Sequence, residues 1–306
     1  MKTLSLALTA LLSLTGVSCA HTKASSSAKI YTFESDANGF NTKNFFYDNG
    51  QEVVVFDAQF TPETAQKSIE FLRTKTQNPI TYVVVTHPNP DKFNGASTFQ
   101  KLGAKVIASQ KTAQNLPGVH AYKKYYFVEM AKMFTEQSYP QEAQIDITFN
   151  QKYDLRLGNG EVIKLQELSS PGVSTNQTVA IIPQANAVMV GDLVHHKIHA
   201  WLEGGIVDGK ATPTIDGWIA DLKELSSMVK KGTFVYGGRG EVVVVEKSVP
   251  AQIEYLKKSD AVVTQFAKKS GDQIAAIQSE LEKNFPEYGL SYMIQYGVYG
   301  LVQSKR

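Results

Sequence analysis

Apolar and polar positions alternate in short blocks from residue 30 onward. Runs at 30–33, 44–47 and 52–56 are separated by Gly39 and by Asp48-Asn49-Gly50, a strong hairpin signal. They predict three strands. Residues 61–74 predict a helix, with Thr61 as N-cap, Pro62 in the first turn, and Ile69, Phe71 and Leu72 on the apolar side. The run 80–85 is nearly all apolar or aromatic, as expected of a strand buried on both faces. Residues 96–102 predict a helix, 105–108 a strand, and the aromatic stretch 121–136 a mostly helical segment ending before Pro140. Strands follow at 145–149, 153–157, 162–168, 178–182 and 187–190. A helix at 215–230, a strand at 233–236 and helices at 251–268 and 273–283 follow, and the tail 289–301, with Tyr292, Tyr296 and Tyr299, reads as a final packing segment. Strands and then αβ units, twice over, predict two similar halves, each a sheet with helices outside. The expected fold is α/β, a four-layered α/β/β/α sandwich, with function on the strand-end loops along one edge.

The first twenty residues read differently. Met1-Lys2 precedes an apolar run from Leu4 to Leu14 and then Thr15-Gly16-Val17-Ser18-Cys19-Ala20. This is the pattern of a secretory signal, too short for a span of ~20 apolar residues. Ser18-Cys19-Ala20 fits a small-x-small cleavage site, giving a soluble exported protein. Val17-Ser18-Cys19 resembles a bacterial lipobox, in which Cys19 carries a lipid anchor. Both readings export the protein, to the periplasm or as an outer-membrane lipoprotein of a bacterium. The expected organisation is a signal at 1–20, a Ser-rich tether at 21–28, a main domain at 29–245 and a C-terminal helical extension at 246–306 packed on it.

Composition narrows the chemistry. Of 306 residues, 42% are hydrophobic and 20% charged, which excludes a disordered chain. The net charge of +2 comes without a dense Lys/Arg stripe, so no nucleic-acid partner is expected. A single cysteine excludes an intrachain disulfide and a Cys-rich zinc site.

The most informative loop is Thr86-His87-Pro88-Asn89-Pro90-Asp91-Lys92-Phe93-Asn94-Gly95, where a buried strand opens into a helix. It resembles the His-x-His-x-Asp-His signature of the metallo-β-lactamase superfamily. Other loops follow in the family's order. Pro171-Gly172-Val173-Ser174 stands at the Gly-His position, Gly191-Asp192 at the Gly-Asp that supplies a bridging carboxylate, and Gly238-Arg239-Gly240 at the final Gly-His-Gly. The resemblance runs from about residue 30 to 240.

The departures decide the chemistry. A hydrolytic zinc site needs neutral imidazoles and carboxylates, with one position open to water. Of the ligand positions the resemblance implies, His87, Asp91 and Asp192 remain. Imidazoles are lost at Asn89, Lys92, Val173 and Arg239. Val has no lone pair, and charged Lys and Arg have no acceptor. Lys92 and Arg239 are expected to neutralise Asp91 and Asp192 where metal ions would otherwise stand. No cofactor is then expected. The alternative is one zinc ion, held by His87, Asp91, Asp192 and a relocated histidine.

Gly191 is followed within ten residues by His195, His196, His199 and Trp201. His195 and His199 are four apart and would share a helix face. With Asp192 they would form a relocated metal site or a metal-free acid/base pair, against the plainer reading of surface histidines on a loop. The expected candidates are therefore His87, Asp91, Asp192 and His199 for catalysis, and Asn89, Lys92, His195, His196, Trp201 and Arg239 for ligand contacts. The Tyr- and Met-rich stretch 122–139 reads as lid, dimer surface or, most simply, core. The expected function is a small-molecule-binding pseudoenzyme, with Lys92 and Arg239 favouring an anionic ligand. The alternative is an active hydrolase of ester, lactone or β-lactam bonds.

Overall fold

The computed structural model describes residues 28–306; the expected signal, Cys19 and the expected tether up to residue 27 lie outside the described residues. One sheet runs in the order β1 (Lys29–Glu34), β2 (Lys43–Asp48), β3 (Val53–Phe56), β4 (Ile80–Val84), β5 (Lys105–Ser109) and β6 (Ile147–Phe149). Strands β1 to β3 pair antiparallel through hairpins, and β3 to β6 pair parallel. In the other sheet, β7 (Lys152–Arg156), β8 (Val162–Glu167), β9 (Thr178–Ile182) and β10 (Ala187–His196) form an antiparallel meander. A separate hairpin, β11 (Gly205–Val207) and β12 (Lys210–Thr212), precedes β13 (Phe234–Gly240), which pairs parallel to β10 and antiparallel to β14 (Val243–Val244).

Side-chain alternation explains the layering. Along β2, Phe45 and Tyr47 point between the sheets, where they meet Ile163, Leu165 and Met189 of the facing sheet. Phe46 points outward onto Ile69 and Leu72 of α1 (Pro62–Arg73), beside α2 (Pro90–Phe93) and α3 (Ala96–Gln100). The outer side of the second sheet is covered by α5 (Ile215–Met228), α6 (Val245–Phe266), α7 (Gln273–Asn284), α8 (Tyr292–Gly297) and α9 (Tyr299–Ser304), which share one core with Val188 and Val190. The result is the α/β/β/α sandwich. Between β5 and β6 runs α4 (Gln110–Tyr125), capped by Ser109 and followed by a π turn, Tyr126–Met130. Among the described residues no helix is long and apolar enough to cross a membrane.

Helix α6 starts at Val245 instead of residue 251, the hairpin β11–β12 and helices α8 and α9 lie outside the expected strands and helices, and two further stretches differ in ways that bear on the site. Helix α4 starts at Gln110 instead of residue 121 and gives way to the π turn and irregular backbone before residue 136. Strand β10 continues to His196 instead of stopping at 190, because β13 pairs with it across an irregularity at Gly191. His195 therefore lies on a strand, and Lys197 turns the chain with φ 56°. The helix face shared by His195 and His199 does not form.

Helix α5 buries a carboxyl with one empty side. Asp221 Oδ1 accepts the Ser170 N–H at 2.9 Å, while its Oδ2 has no partner. Burial pushes its pKa up to about 7. In the unfolded chain the group ionises near ~4. Its contribution to stability is therefore lost as pH rises from about 4 to about 7. Asp221→Asn should raise stability at pH 8 by about 1–2 kcal/mol and change it little at pH 4. Urea unfolding at both pH values checks this, and an equal shift at each would show that the charge is not the cause.

Candidate functional site

The site lies at one edge of the sandwich, just beyond the end of β4, midway along β10 and near the end of β13. Strand β4 delivers Thr86 and His87, and the short turn α2, opened by Asn89 and Pro90, presents Asp91 and Lys92. Gly191 brings β10 close to Thr86: it has φ +50°, and a Cβ there would stand 2.4 Å from Thr86 Oγ1. The next residue, Asp192, turns toward α2, and Arg239 reaches in from β13, paired in register with His195.

These residues form a buried quartet of charges. The Lys92 ammonium donates to Asp91 Oδ2 at 2.8 Å and to Asp192 Oδ1 at 2.7 Å. Arg239 Nη1 donates to both Asp192 oxygens at 3.0 Å, and its Nη2 donates to Asp91 Oδ2 at 3.0 Å. Two further partners fix the guanidinium. Its Nε donates to the Phe40 carbonyl at 2.7 Å and its Nη2 to Thr42 Oγ1 at 2.8 Å, while the Thr42 hydroxyl donates to Asp91 Oδ2 at 3.0 Å. Lys92 is wholly enclosed. Burial alone would raise both carboxyls, but Lys92 and Arg239 overcome it, holding Asp91 below the usual carboxylate range and Asp192 well below. Burial alone would lower both cations, and the two aspartates hold them above their usual values.

Two histidines stand behind the quartet. Burial pushes His87 down to about 4, so it is neutral; its Nδ1 bonds Thr86 Oγ1 at 3.0 Å and its Nε2 stands 3.9 Å from Asp192 Oδ2. His195, also lowered by burial, has Nε2 3.4 Å from Asp192 Oδ1. Beneath them Asp57 accepts the Thr86 N–H and hydroxyl, and burial raises it to about 7.

A small aromatic cleft, about 40 Å³ in volume, opens over the carboxylate–guanidinium side of the quartet. Phe40, Phe60, Phe127, Trp201 and Met293 form its apolar walls, and Asn89 and Lys123 its polar ones. Ser174 Oγ donates to Asn89 Oδ1 at 3.4 Å, and Val173 packs alongside. Lys123 pairs with Glu203, which also accepts Trp201 Nε1–H at 3.0 Å.

The structure thus brings His87, Asp91, Lys92, Asp192, His195 and Arg239 together, with Asn89 and Trp201 on the cleft. It leaves His196 half-buried at the end of β10, outside the cleft lining. It places His199 against Tyr255, whose hydroxyl is 3.2 Å from Nδ1, and against Tyr288. His199 therefore takes no part in the cluster. Lys92 and Arg239 are engaged by the two aspartates, so the four charges cancel and leave no surplus for an anion. Sequence reasoning missed Thr42, the Phe40 carbonyl, the Lys123–Glu203 pair and Asp57. Only Asp57 carried a signal, an acid directly after the apolar run of β3.

Metal ligation fails on the donor set. Among the described residues no group of three or more His, Cys, Asp and Glu side chains is arranged to hold a metal. The space between the two carboxylates holds an ammonium and a guanidinium, which have no lone pair to donate and repel a dication. The residues present do not fit a zinc centre.

The chain belongs to the metallo-β-lactamase superfamily, whose family profile matches residues 37–237. Similar solved structures include a metallo-β-lactamase from Pontibacter korlensis, with TM-score 0.57, 19% identity and coverage of 77% of this chain and 97% of that one. The DIM-1 metallo-β-lactamase exposed to ceftazidime has TM-score 0.55 and 15% identity, covering 78% and 95%. TMB-1 has TM-score 0.53 and 16% identity, covering 75% and 98%. At these identities the likeness is one of fold. No curated protein sequence matches the chain at a significant level.

Proposed function

We propose that this chain is an exported, divergent superfamily member that works without a dinuclear zinc centre and binds a small molecule in the cleft walled by Phe40 and Trp201. One observation carries the reading: the Lys92 ammonium sits 2.8 and 2.7 Å from Asp91 and Asp192, bridging the carboxylates. Export rests on the pattern of residues 1–20, with Cys19 lipidated or removed. Because the quartet is neutral, ligand affinity comes from burying apolar surface against the rings, with Asn89 and the Arg239 edge for orientation. At about 40 Å³ the cleft holds only a few waters, so a ligand enters by moving the Phe127 or Trp201 wall.

The hydrolase alternative needs an imidazole from 195–199 beside His87, Asp91 and Asp192. His195 stands there, with Nε2 3.4 Å from Asp192 Oδ1, while His199 is engaged with Tyr255. What opposes the alternative is that Lys92 and Arg239 occupy the space between the carboxylates. Metal analysis after equilibration with zinc, combined with hydrolysis assays on a generic ester and a cephalosporin reporter, tests the proposal. Well under one zinc per chain and no turnover above buffer are expected. Stoichiometric zinc with turnover would refute it.

A further inference from the structure

We infer that a second cavity, separate from the cleft, binds a small organic cation, an amine or a quaternary ammonium. The cavity measures about 470 Å³ and shares a wall with the cleft: Lys123 lines the cleft, and its partner Glu203 lines the cavity. Its volume lies within the ~300–1,000 Å³ of small-molecule pockets. Five tyrosines line it, Tyr122 and Tyr125 from α4, Tyr126 from the π turn, Tyr296 from α8 and Tyr299 from α9. Tyr125 and Tyr299 are 62% and 61% exposed, large rings that the fold leaves uncovered. Tyr296 stacks one face on Trp201, with centroids 5.8 Å apart and planes 11° from parallel, which fixes its ring and leaves its other face free of that contact.

The ring faces select the ligand class. Among the described residues Glu203 is the only charged side chain on the lining. Lys123, on the cleft side with its ammonium 5.8 Å from the Tyr122 ring centroid, balances it, so the selection rests on the tyrosine faces and on the free acceptor capacity of the carboxylate. Its Oε2 accepts from Lys123 and Trp201, but its Oε1 accepts only the Tyr122 hydroxyl, over a long 3.3 Å. One carboxylate oxygen therefore keeps acceptor capacity. The faces of the tyrosine rings carry negative electrostatic potential and attract a cation held against them. An anion would meet ring faces and a carboxylate, with no cation on the lining to answer it. This inference stands on residues outside the quartet.

Titration calorimetry of the purified chain with choline, and with 3,3-dimethylbutan-1-ol, in which carbon replaces the charged nitrogen, reads the charge contribution directly. Choline should saturate a single site, and the neutral isostere should bind about tenfold more weakly or worse. Tyr299→Phe should keep the affinity. Tyr299→Leu, at an exposed position where folding is little affected, should weaken it about five- to tenfold. Equal binding of the two probes, no saturable choline binding, or unchanged affinity in Tyr299→Leu would overturn the inference. So would sedimentation showing a dimer that Tyr299→Leu dissociates, because the rings would then face a second copy of the chain.

Discussion

Lys92→Met is expected to lower the unfolding free energy by about 3–5 kcal/mol, the usual cost of removing one partner from a buried ion cluster. Met fills much of the lysine's volume, so the loss is electrostatic. The variant keeps Asp91, Asp192 and Arg239, one net negative charge in a region that is buried apart from the small cleft beside it. Adding Asp91→Asn restores neutrality, because Arg239 still grips both Asp192 oxygens at 3.0 Å, and should recover part of the loss. Urea unfolding of the two variants measures this. A cost below about 1 kcal/mol for the single variant, in the range of exposed pairs, would mean that the quartet does not hold the site together.

Gly238→Ala should cost about 2–4 kcal/mol. A Cβ at this position would stand 2.0 Å from Asp192 Oδ1 and 3.0 Å from Lys92 Nζ. A free carboxylate would swing aside at little cost. This one is tied to Lys92 and Arg239, so moving it breaks charge-assisted hydrogen bonds in a buried setting. Gly118→Ala on α4 is the control. Nothing lies within 4 Å of a Cβ there, and the substitution should be neutral or stabilise by up to ~1 kcal/mol. Thermal unfolding of both variants decides the matter. If Gly238→Ala melts with the parent, Asp192 is looser than its bonds imply.

The layered order was legible because buried strands write themselves as apolar blocks. The run ending in Val85, the Asn49-Gly50 hairpin and the Thr61-Pro62 helix start all lie where their patterns place them. The strand-end loops were legible as chemistry because their charged residues interrupt apolar runs. Polar letters hid the rest. Asp192, His195 and His196 read as the end of β10, yet pairing with β13 carries the strand onward. Pro117 and Gly118 obscured the first half of α4, and Pro250 the start of α6. The Phe40 carbonyl reaches Arg239 because Phe40 adopts φ 59°, a backbone property no spacing reveals. Lys123 and Glu203 stand 80 residues apart and meet only through tertiary packing.

The quartet also sets an order of events. Asp91 and Arg239 are 148 positions apart along the chain, and Lys92 and Asp192 are 100 apart, with each pair drawn from opposite halves of the sandwich. Contacts so remote in sequence close after the local hairpins and helices have formed. The cluster is thus expected to be a late clasp, closing after the two halves have met. Interactions missing from the transition state act chiefly on the rate of escape from the native state. The charges that join the two halves are therefore expected to act as a latch against opening, so that Lys92→Met speeds unfolding far more than it slows refolding.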